Sequence, residues 1–112
     1  MSAQGPLCNL TEIEDGEAKG FTLADGRDIF VVRVGPAVHG YVNSCPHQGT
    51  PLDWTPDVFI SEESGLILCA THGAQFEIGD GLCVSGPCEG LHLTPVAVRV
   101  AADGAVVLGE DL

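Results

Sequence analysis

The chain has few basic and few aromatic residues. Only 4 of its 112 residues are lysine or arginine, against 16 aspartates and glutamates, and the formal net charge is −12. Aromatic residues make up 5% of the chain. A surface of this charge repels nucleic acid and anionic lipid, so we expect the chain to bind neither. The charge fits rapid association with a basic patch on a partner and equally fits a role in solubility alone.

Long apolar segments are also missing. No run of apolar residues approaches the roughly 20 residues that a membrane span needs. The first ten residues have neither the basic region nor the apolar stretch of a signal peptide. We therefore expect a cytoplasmic protein that does not associate with a membrane. The length of 112 residues predicts a single domain over residues 1–112.

Helical spacing of apolar residues is weak, whereas strand patterns recur. The 15 glycines and 7 prolines favour turns and short strands. Alternation and apolar runs predict strands at 18–23, 29–34, 37–43, 66–68, 75–78, 96–101 and 105–108, with room for a helical turn at 55–64. Arg33 interrupts the second run, which predicts that one face of that strand meets water. We expect an all-β fold, a small antiparallel domain that carries an inserted loop region at about 44–88.

The five cysteines do not indicate a disulfide framework. They are Cys8, Cys45, Cys69, Cys83 and Cys88. An odd number of cysteines in an intracellular protein argues against paired disulfides. A role as thiolate ligands of a metal explains two of these cysteines better than a disulfide does.

Two short segments carry the strongest chemical signal. Cys45-Pro46-His47 and Cys69-Ala70-Thr71-His72 each supply one thiolate and one imidazole. Such a donor set suits a [2Fe–2S] centre in which two histidines replace two cysteines on one iron. It also suits a structural zinc site, which stays open as an alternative. The close Cys45–His47 spacing and the glycine-rich loops favour the iron–sulfur centre.

The residues around both segments resemble a known family. Residues 45–52 (CPHQGTPL) and 69–76 (CATHGAQF) look like the two cluster loops of Rieske-type ferredoxins, of the low-potential kind that lacks a disulfide and serves oxygenases. Gly86-Pro87 is similar to the proline loop that covers the cluster. The resemblance runs from about residue 10 to the end of the chain. It implies a Rieske-type fold whose cluster-binding subdomain, residues 44–88, holds one [2Fe–2S] cluster through Cys45, His47, Cys69 and His72.

The resemblance also implies a role. The chain would carry one electron at a time and have no catalytic residue of its own, so it would be the electron-transfer component of an oxidoreductase system. The histidine edges are expected at the tip of the protein, where a flavin-dependent reductase delivers the electron and an oxygenase receives it. Both partners would bind transiently to a monomer. The alternative role is a small Rieske subunit held permanently in a larger reductase or oxygenase complex.

The residues near the ligands predict the redox potential. High-potential members of the family carry a disulfide between the loops, and the matching positions here are Thr50 and Thr71. Those members also direct a serine and a tyrosine hydroxyl at the cluster sulfurs, where this chain has Ala74 and Phe76. Fewer hydrogen bonds to sulfur lower the potential. We therefore expect a midpoint of roughly −150 mV or slightly above.

Other reactive or unusual residues receive structural interpretations. We expect His39, His92 and Cys8 to lie outside the metal site. Cys83 and Cys88, which flank Gly86-Pro87, are interpreted as two thiols in preference to a disulfide. Trp54 is expected to pack under the first loop. Asp53 and Asp57 are expected to lie in a solvated loop.

Overall fold

A computed structural model of the chain describes residues 6–44, 52, 59–61, 63–69, 73–86 and 89–108. Ten strands lie within these ranges, and every pairing between them is antiparallel. Four of the strands form a central sheet in the order β2-β3-β4-β8, with bounds β2 Ala18–Thr22, β3 Asp28–Val34, β4 Ala37–Val42 and β8 Pro95–Val96. The fold is therefore all-β, as the sequence predicted.

Two three-stranded sheets complete the architecture. The terminal sheet has the order β1-β10-β9, with bounds β1 Cys8–Asn9, β10 Ala105–Leu108 and β9 Val98–Val100. The loop sheet has the order β5-β6-β7, with bounds β5 Ile67–Leu68, β6 Gln75–Phe76 and β7 Cys83–Ser85. The loop sheet lies inside the segment 44–88 that was predicted as the inserted region. The boundary of that region, and the single domain over residues 1–112, stay predictions.

Local sequence accounts for the turns that join the central strands. The hairpin between β2 and β3 turns at Gly26, whose φ of +90° is a conformation that glycine adopts without strain. The Asp25 side chain accepts a hydrogen bond from the main-chain N–H of Arg27 at 3.0 Å, as short polar side chains do in tight turns. The predicted Asp25-Gly26 hairpin is confirmed.

A short 3₁₀ helix, Leu10–Glu12, follows β1 and was not predicted. Its first residue is preceded by Asn9, whose side chain accepts a hydrogen bond from the N–H of Thr11 at 3.1 Å. The carboxylate of Glu12 accepts one in return from the N–H of Asn9 at 2.9 Å. This reciprocal pair is a capping box, which satisfies two main-chain donors at the helix start.

The prediction that β3 exposes one face to water is wrong. Its residues 29–32 have no exposed surface. Phe30 and Val32 belong to a core shared with the loop sheet, whereas Val31 belongs to a second core shared with the terminal sheet through Val106. β3 is thus covered on both sides, because the central sheet lies between the other two sheets.

Arg33, which suggested the exposed face, bonds inside the protein. Its guanidinium donates to three main-chain carbonyls: Gly35 at 2.8 Å, Ile13 at 2.9 Å and Leu10 at 3.4 Å. The side chain is half-buried. A charged residue at this point of the strand therefore marks an internal anchor for the segment before β2, and it does not mark a solvated face.

One aromatic stack joins the central sheet to the chain near the loop sheet. The rings of Phe30 and Phe59 lie nearly parallel, at 10°, with centroids 4.4 Å apart. Phe59 has no exposed surface and belongs to the same core as Leu52 and Cys69. Half of the predicted helical turn at 55–64 lies outside the described residues, and the described half, 59–61 and 63–64, contains no helix. No described helix is long and apolar enough to cross a membrane.

Candidate metal centre

Of the four predicted ligands, one is described. Cys69 lies directly after β5 and has no exposed surface. Cys45, His47 and His72 lie outside the described residues, so their role as ligands stays a prediction. The described residues do show how the segments that carry these ligands begin and end.

The second ligand segment is closed by main-chain hydrogen bonds. The N–H of Cys69 donates to the carbonyl of Ala74, and the N–H of Gly73 donates to the carbonyl of Cys69, both at 2.8 Å. Gly73 has a φ of +75°, which an L-residue adopts only with strain. Cys69 therefore stands at the base of a tight loop, with its side chain turned towards the core.

Ala74 and Phe76, which replace the serine and tyrosine of the high-potential members, are part of the same core. Ala74 and Phe76 are fully buried, beside Cys83. The methyl group of Ala74 and the ring of Phe76 donate no hydrogen bond. The low potential expected from the sequence stays a prediction.

Gly86 packs directly on the second loop. A Cβ atom at this position would lie 2.6 Å from the Cα of Ala74, and the φ of Gly86 is +102°. Only glycine allows so close an approach between two main chains. The end of β7 therefore lies against the second ligand loop, which fits the predicted covering role of Gly86-Pro87. Pro87 lies outside the described residues.

The first ligand segment is bracketed by a side-chain hydrogen bond. The Oδ1 atom of Asn43 accepts from the main-chain N–H of Leu52 at 2.8 Å. The main-chain N–H of Asn43 donates to the carbonyl of Asp28 at 2.9 Å, which ties Asn43 to the central sheet. Leu52 is fully buried in the core that also contains Cys69. Asn43 thus joins the two ends of the stretch that carries Cys45.

Tyr41 makes a similar connection to the chain that leaves the second loop. Its hydroxyl donates to the main-chain carbonyl of Ile78 at 2.5 Å, and its ring is almost fully buried. Burial and, to a lesser extent, the nearby Asp80 carboxylate raise the pKa of Tyr41 above its ordinary value. The phenol therefore stays protonated and donates at neutral pH. The sequence analysis singled out neither Tyr41 nor Asn43. The available signal was the position of these two polar residues just before Cys45.

The cysteines outside the ligand segments have separate surroundings. Cys8 lies on β1 of the terminal sheet, and burial, followed by the charge of Glu12, raises the pKa of its thiol. Cys83 is buried on β7, and its thiol donates to the carbonyl of Ser85 at 3.2 Å. Cys88 lies outside the described residues, so the state of the Cys83 and Cys88 thiols stays a prediction.

Two of the histidines expected outside the metal site are described. His39 is half-buried on β4, and His92 is exposed opposite Leu82. Among the described residues, no group of histidine, cysteine, aspartate or glutamate side chains is placed to hold a metal ion. The placement of His39 and His92 outside the metal site stays a prediction. Trp54, Asp53 and Asp57 lie outside the described residues.

Comparison with known proteins identifies the family. The described part of the chain is an all-β domain with a buried cysteine at the base of a glycine-turned loop. The model of the Rieske [2Fe–2S] domain family matches residues 3–100. The chain therefore belongs to the Rieske [2Fe–2S] domain family, whose domain binds one cluster through two cysteines and two histidines. Among curated proteins, none matches the chain.

Solved structures share the fold along nearly the whole chain. The ferredoxin of carbazole 1,9a-dioxygenase from Nocardioides aromaticivorans IC177 is 25% identical, with a TM-score of 0.77, over 98% of this chain and 100% of that one. A complex of reduced oxygenase and oxidised ferredoxin in carbazole 1,9a-dioxygenase matches at 24% identity and a TM-score of 0.73, over 97% and 95%. The terminal oxygenase of the Nocardioides system matches at 24% and 0.75, over 97% of this chain and 31% of that one.

The described residues fit a cluster of this kind. Cys69 offers a thiolate, which suits iron, and the tight loop that follows it is closed by its own main chain. The apolar shell of Ala74, Phe76 and Leu52 limits the access of water from the core side, and it thereby affects the potential. The surroundings of Cys69 are thus compatible with an iron–sulfur site.

Proposed function

We propose that this chain carries single electrons from a flavin-dependent reductase to an oxygenase. The observation that carries the proposal is the family match over residues 3–100, together with a likeness that covers the whole of a dioxygenase ferredoxin. We further propose that the carrier is a cytoplasmic monomer that forms one domain. The length of 112 residues, near the usual size of one domain, supports the single domain.

The proposed ligands are Cys45 and His47 on the first segment and Cys69 and His72 on the second. When bound, the cluster takes up and releases one electron. The burial of Cys69 supports an arrangement in which the thiolates face the core and the imidazoles face the solvent. An imidazole edge at the tip is the shortest route to a partner that docks there.

The charge of the chain indicates the kind of partner surface. The net charge is −12, and the exposed residues include a run of acids from the last residue of the 3₁₀ helix to the residue before β2: Glu12, Glu14, Asp15 and Glu17. Long-range attraction to a basic surface raises the rate of encounter and weakens as salt is added. We therefore propose that both partners present basic surfaces.

The ligand set is tested by substitution and electron paramagnetic resonance (EPR). The protein is reconstituted anaerobically with iron and sulfide, and the EPR spectrum of the dithionite-reduced form is recorded. Each of Cys45→Ser, His47→Ala, Cys69→Ser and His72→Ala should remove the Rieske-type signal, whereas the matched control Cys8→Ser should keep it. A wild-type protein that stays colourless, or a Cys69→Ser variant with an unchanged signal, would refute the proposal.

The carrier role is tested by electron transfer. The rate of reduction by a flavin-dependent reductase, and the rate at which an oxygenase reoxidises the protein, are measured from 10 mM to 1 M salt. We expect the rates to fall as salt increases, because the attraction between unlike charges is screened. Rates that do not depend on salt would contradict the proposed basic docking surfaces.

A second role is favoured by one observation. The fold also matches 31% of a terminal oxygenase chain, so a Rieske domain held inside a larger oxygenase assembly is the competing role. Size-exclusion chromatography of the natively expressed protein separates the two roles, since a carrier elutes alone and a fixed component elutes with its partner.

A further inference from the structure

Tyr41 and Asn43 stand two residues apart at the end of β4, and both side chains bond to the main chain of the segments around the loop sheet. Asn43 accepts from the N–H of Leu52 at 2.8 Å. Tyr41 donates to the carbonyl of Ile78 at 2.5 Å. In sequence, Leu52 closes the stretch that carries Cys45 and His47, and Ile78 follows the strand that leaves the second loop. The end of one central strand thus contacts the chain next to both ligand segments.

We propose that Tyr41 and Asn43 are positioning residues that fix the two ligand segments relative to each other. The proposal rests on the proposed function, because the ligands in question are those assigned there. Two ligands come from each segment, so the geometry of the metal site depends on how the segments are placed. Groups that bond directly to metal ligands change metal affinity by roughly 10- to 100-fold, and Tyr41 and Asn43 act one step further out, through the chain next to the ligands.

Asn43 is suited to this role because it has two anchors. Its main chain belongs to the central sheet through the hydrogen bond to Asp28, and its side chain holds Leu52. Leu52 has no exposed surface, so its N–H would lose a partner inside the core if the amide of Asn43 were removed. A buried donor without a partner is costly, and the chain would move to satisfy it.

Tyr41 is anchored beside the second ligand segment, at the turn that follows β6. Its ring packs in the core, and Gly81, with a φ of +73°, passes so close that a Cβ atom there would lie 2.8 Å from the ring. The turn that it holds is closed by the hydrogen bond from the N–H of Glu77 to the carbonyl of Leu82 at 2.9 Å. Because β6 leads straight from Ala74 into this turn, a shift of the turn reaches the base of the second loop.

The experiment compares Asn43→Ala, Asn43→Asp, Tyr41→Phe and the double variant Tyr41→Phe/Asn43→Ala in the reconstituted full chain. Asn9→Ala is the matched control, because it removes a side-chain hydrogen bond of similar kind in the capping box of the terminal sheet. Three quantities are measured: the EPR g values of the reduced protein, the rate of iron release to a chelator, and the thermal midpoint. The thermal midpoint reports general loss of structure, whereas the g values report the geometry of the metal site.

We expect Asn43→Ala to release iron at least about tenfold faster and to shift the g values. Tyr41→Phe should release iron about fivefold faster, as expected for one lost hydrogen bond. Asn43→Asp keeps an acceptor oxygen and should stay within about twofold of the wild type. Asn9→Ala should lower the thermal midpoint and leave the g values unchanged.

Two results would overturn the proposal. One is a set of g values and release rates for Asn43→Ala and Tyr41→Phe that equal those of the wild type. The other is a release rate that merely follows the thermal midpoint across all variants, Asn9→Ala included. Failure of the proposed function looks different: the wild type would form no cluster, or would form one and exchange no electron with either partner.

Discussion

Gly86→Ala tests the contact between the end of β7 and the second ligand loop. The new Cβ atom would lie 2.6 Å from the Cα, 3.1 Å from the Cβ and 3.2 Å from the N atom of Ala74. Two of these three atoms belong to the main chain, so no side-chain rotation relieves the overlap. Crowding of this kind costs about 1–3 kcal/mol. The φ of +102° adds a further ~1–3 kcal/mol of main-chain strain.

Gly90→Ala is the matched control on the same hairpin. Gly90 has a φ of +92°, and no atom lies within 4 Å of a Cβ built there. The control therefore carries the main-chain strain without the overlap. We expect urea unfolding of the reconstituted protein, followed by its visible absorbance, to show Gly86→Ala less stable than Gly90→Ala by about 1–3 kcal/mol.

A second readout separates the ligand loop from the rest of the fold. The shift of Ala74 should change the EPR g values in Gly86→Ala, whereas Gly90→Ala should keep those of the wild type. Equal losses of stability in both variants, with equal g values, would show that Gly86 does not press on the second loop and would refute the reasoning.

Three further predictions address the potential, the pH dependence and the internal arginine. A redox titration should give a midpoint of roughly −150 mV, and Ala74→Ser should raise it by restoring a hydroxyl near sulfur; a wild-type midpoint well above zero would contradict this. Because the pKa of Tyr41 is raised in the folded state, its contribution to stability is complete below the usual value of about 10 and is lost as the pH rises through the raised value. Unfolding of Tyr41→Phe should show a weaker dependence on pH in that range. Arg33→Met should lower stability by about 1.5–3 kcal/mol while the EPR spectrum stays unchanged, and a changed spectrum would connect Arg33 to the metal site.

The sequence predicted the longer strands well because their patterns are local. β2, β3, β4 and β10 each lie within a predicted segment or within one residue of it. The predicted strand at 96–101 is divided at Ala97, where the chain passes from the central to the terminal sheet. β1 and β7 were missed, because strands of two or three residues are too short to show a period.

The exposure of β3 was mispredicted for a tertiary reason. The uninterrupted apolar residues 29–32 are typical of a strand covered on both faces. Arg33 outweighed that signal in the prediction, because an arginine normally marks solvent. Its true partners are the carbonyls of Gly35, Ile13 and Leu10, two of which come from a distant segment that no local pattern connects to it.

In the candidate site, too, the local features were predictable from the sequence and the long-range contacts were not. The cysteines and histidines form a local motif, and the family match supports it. The supports of the site are not local, since Asn43 meets Leu52 nine residues later and Tyr41 meets Ile78 after 37 residues. In both pairs one partner is a main-chain atom, which carries no signature in the sequence. Such contacts become visible only when the fold is known.

The stack of Phe30 on Phe59 predicts that loss of the cluster loosens the central sheet as well as the ligand loops. One apolar core runs from the central sheet through this pair to the base of the ligand loops, so a loosening of the loops should reach the central sheet. Demetallated chains should consequently show faster amide hydrogen exchange at Val32, deep in the central sheet, as well as near Cys69.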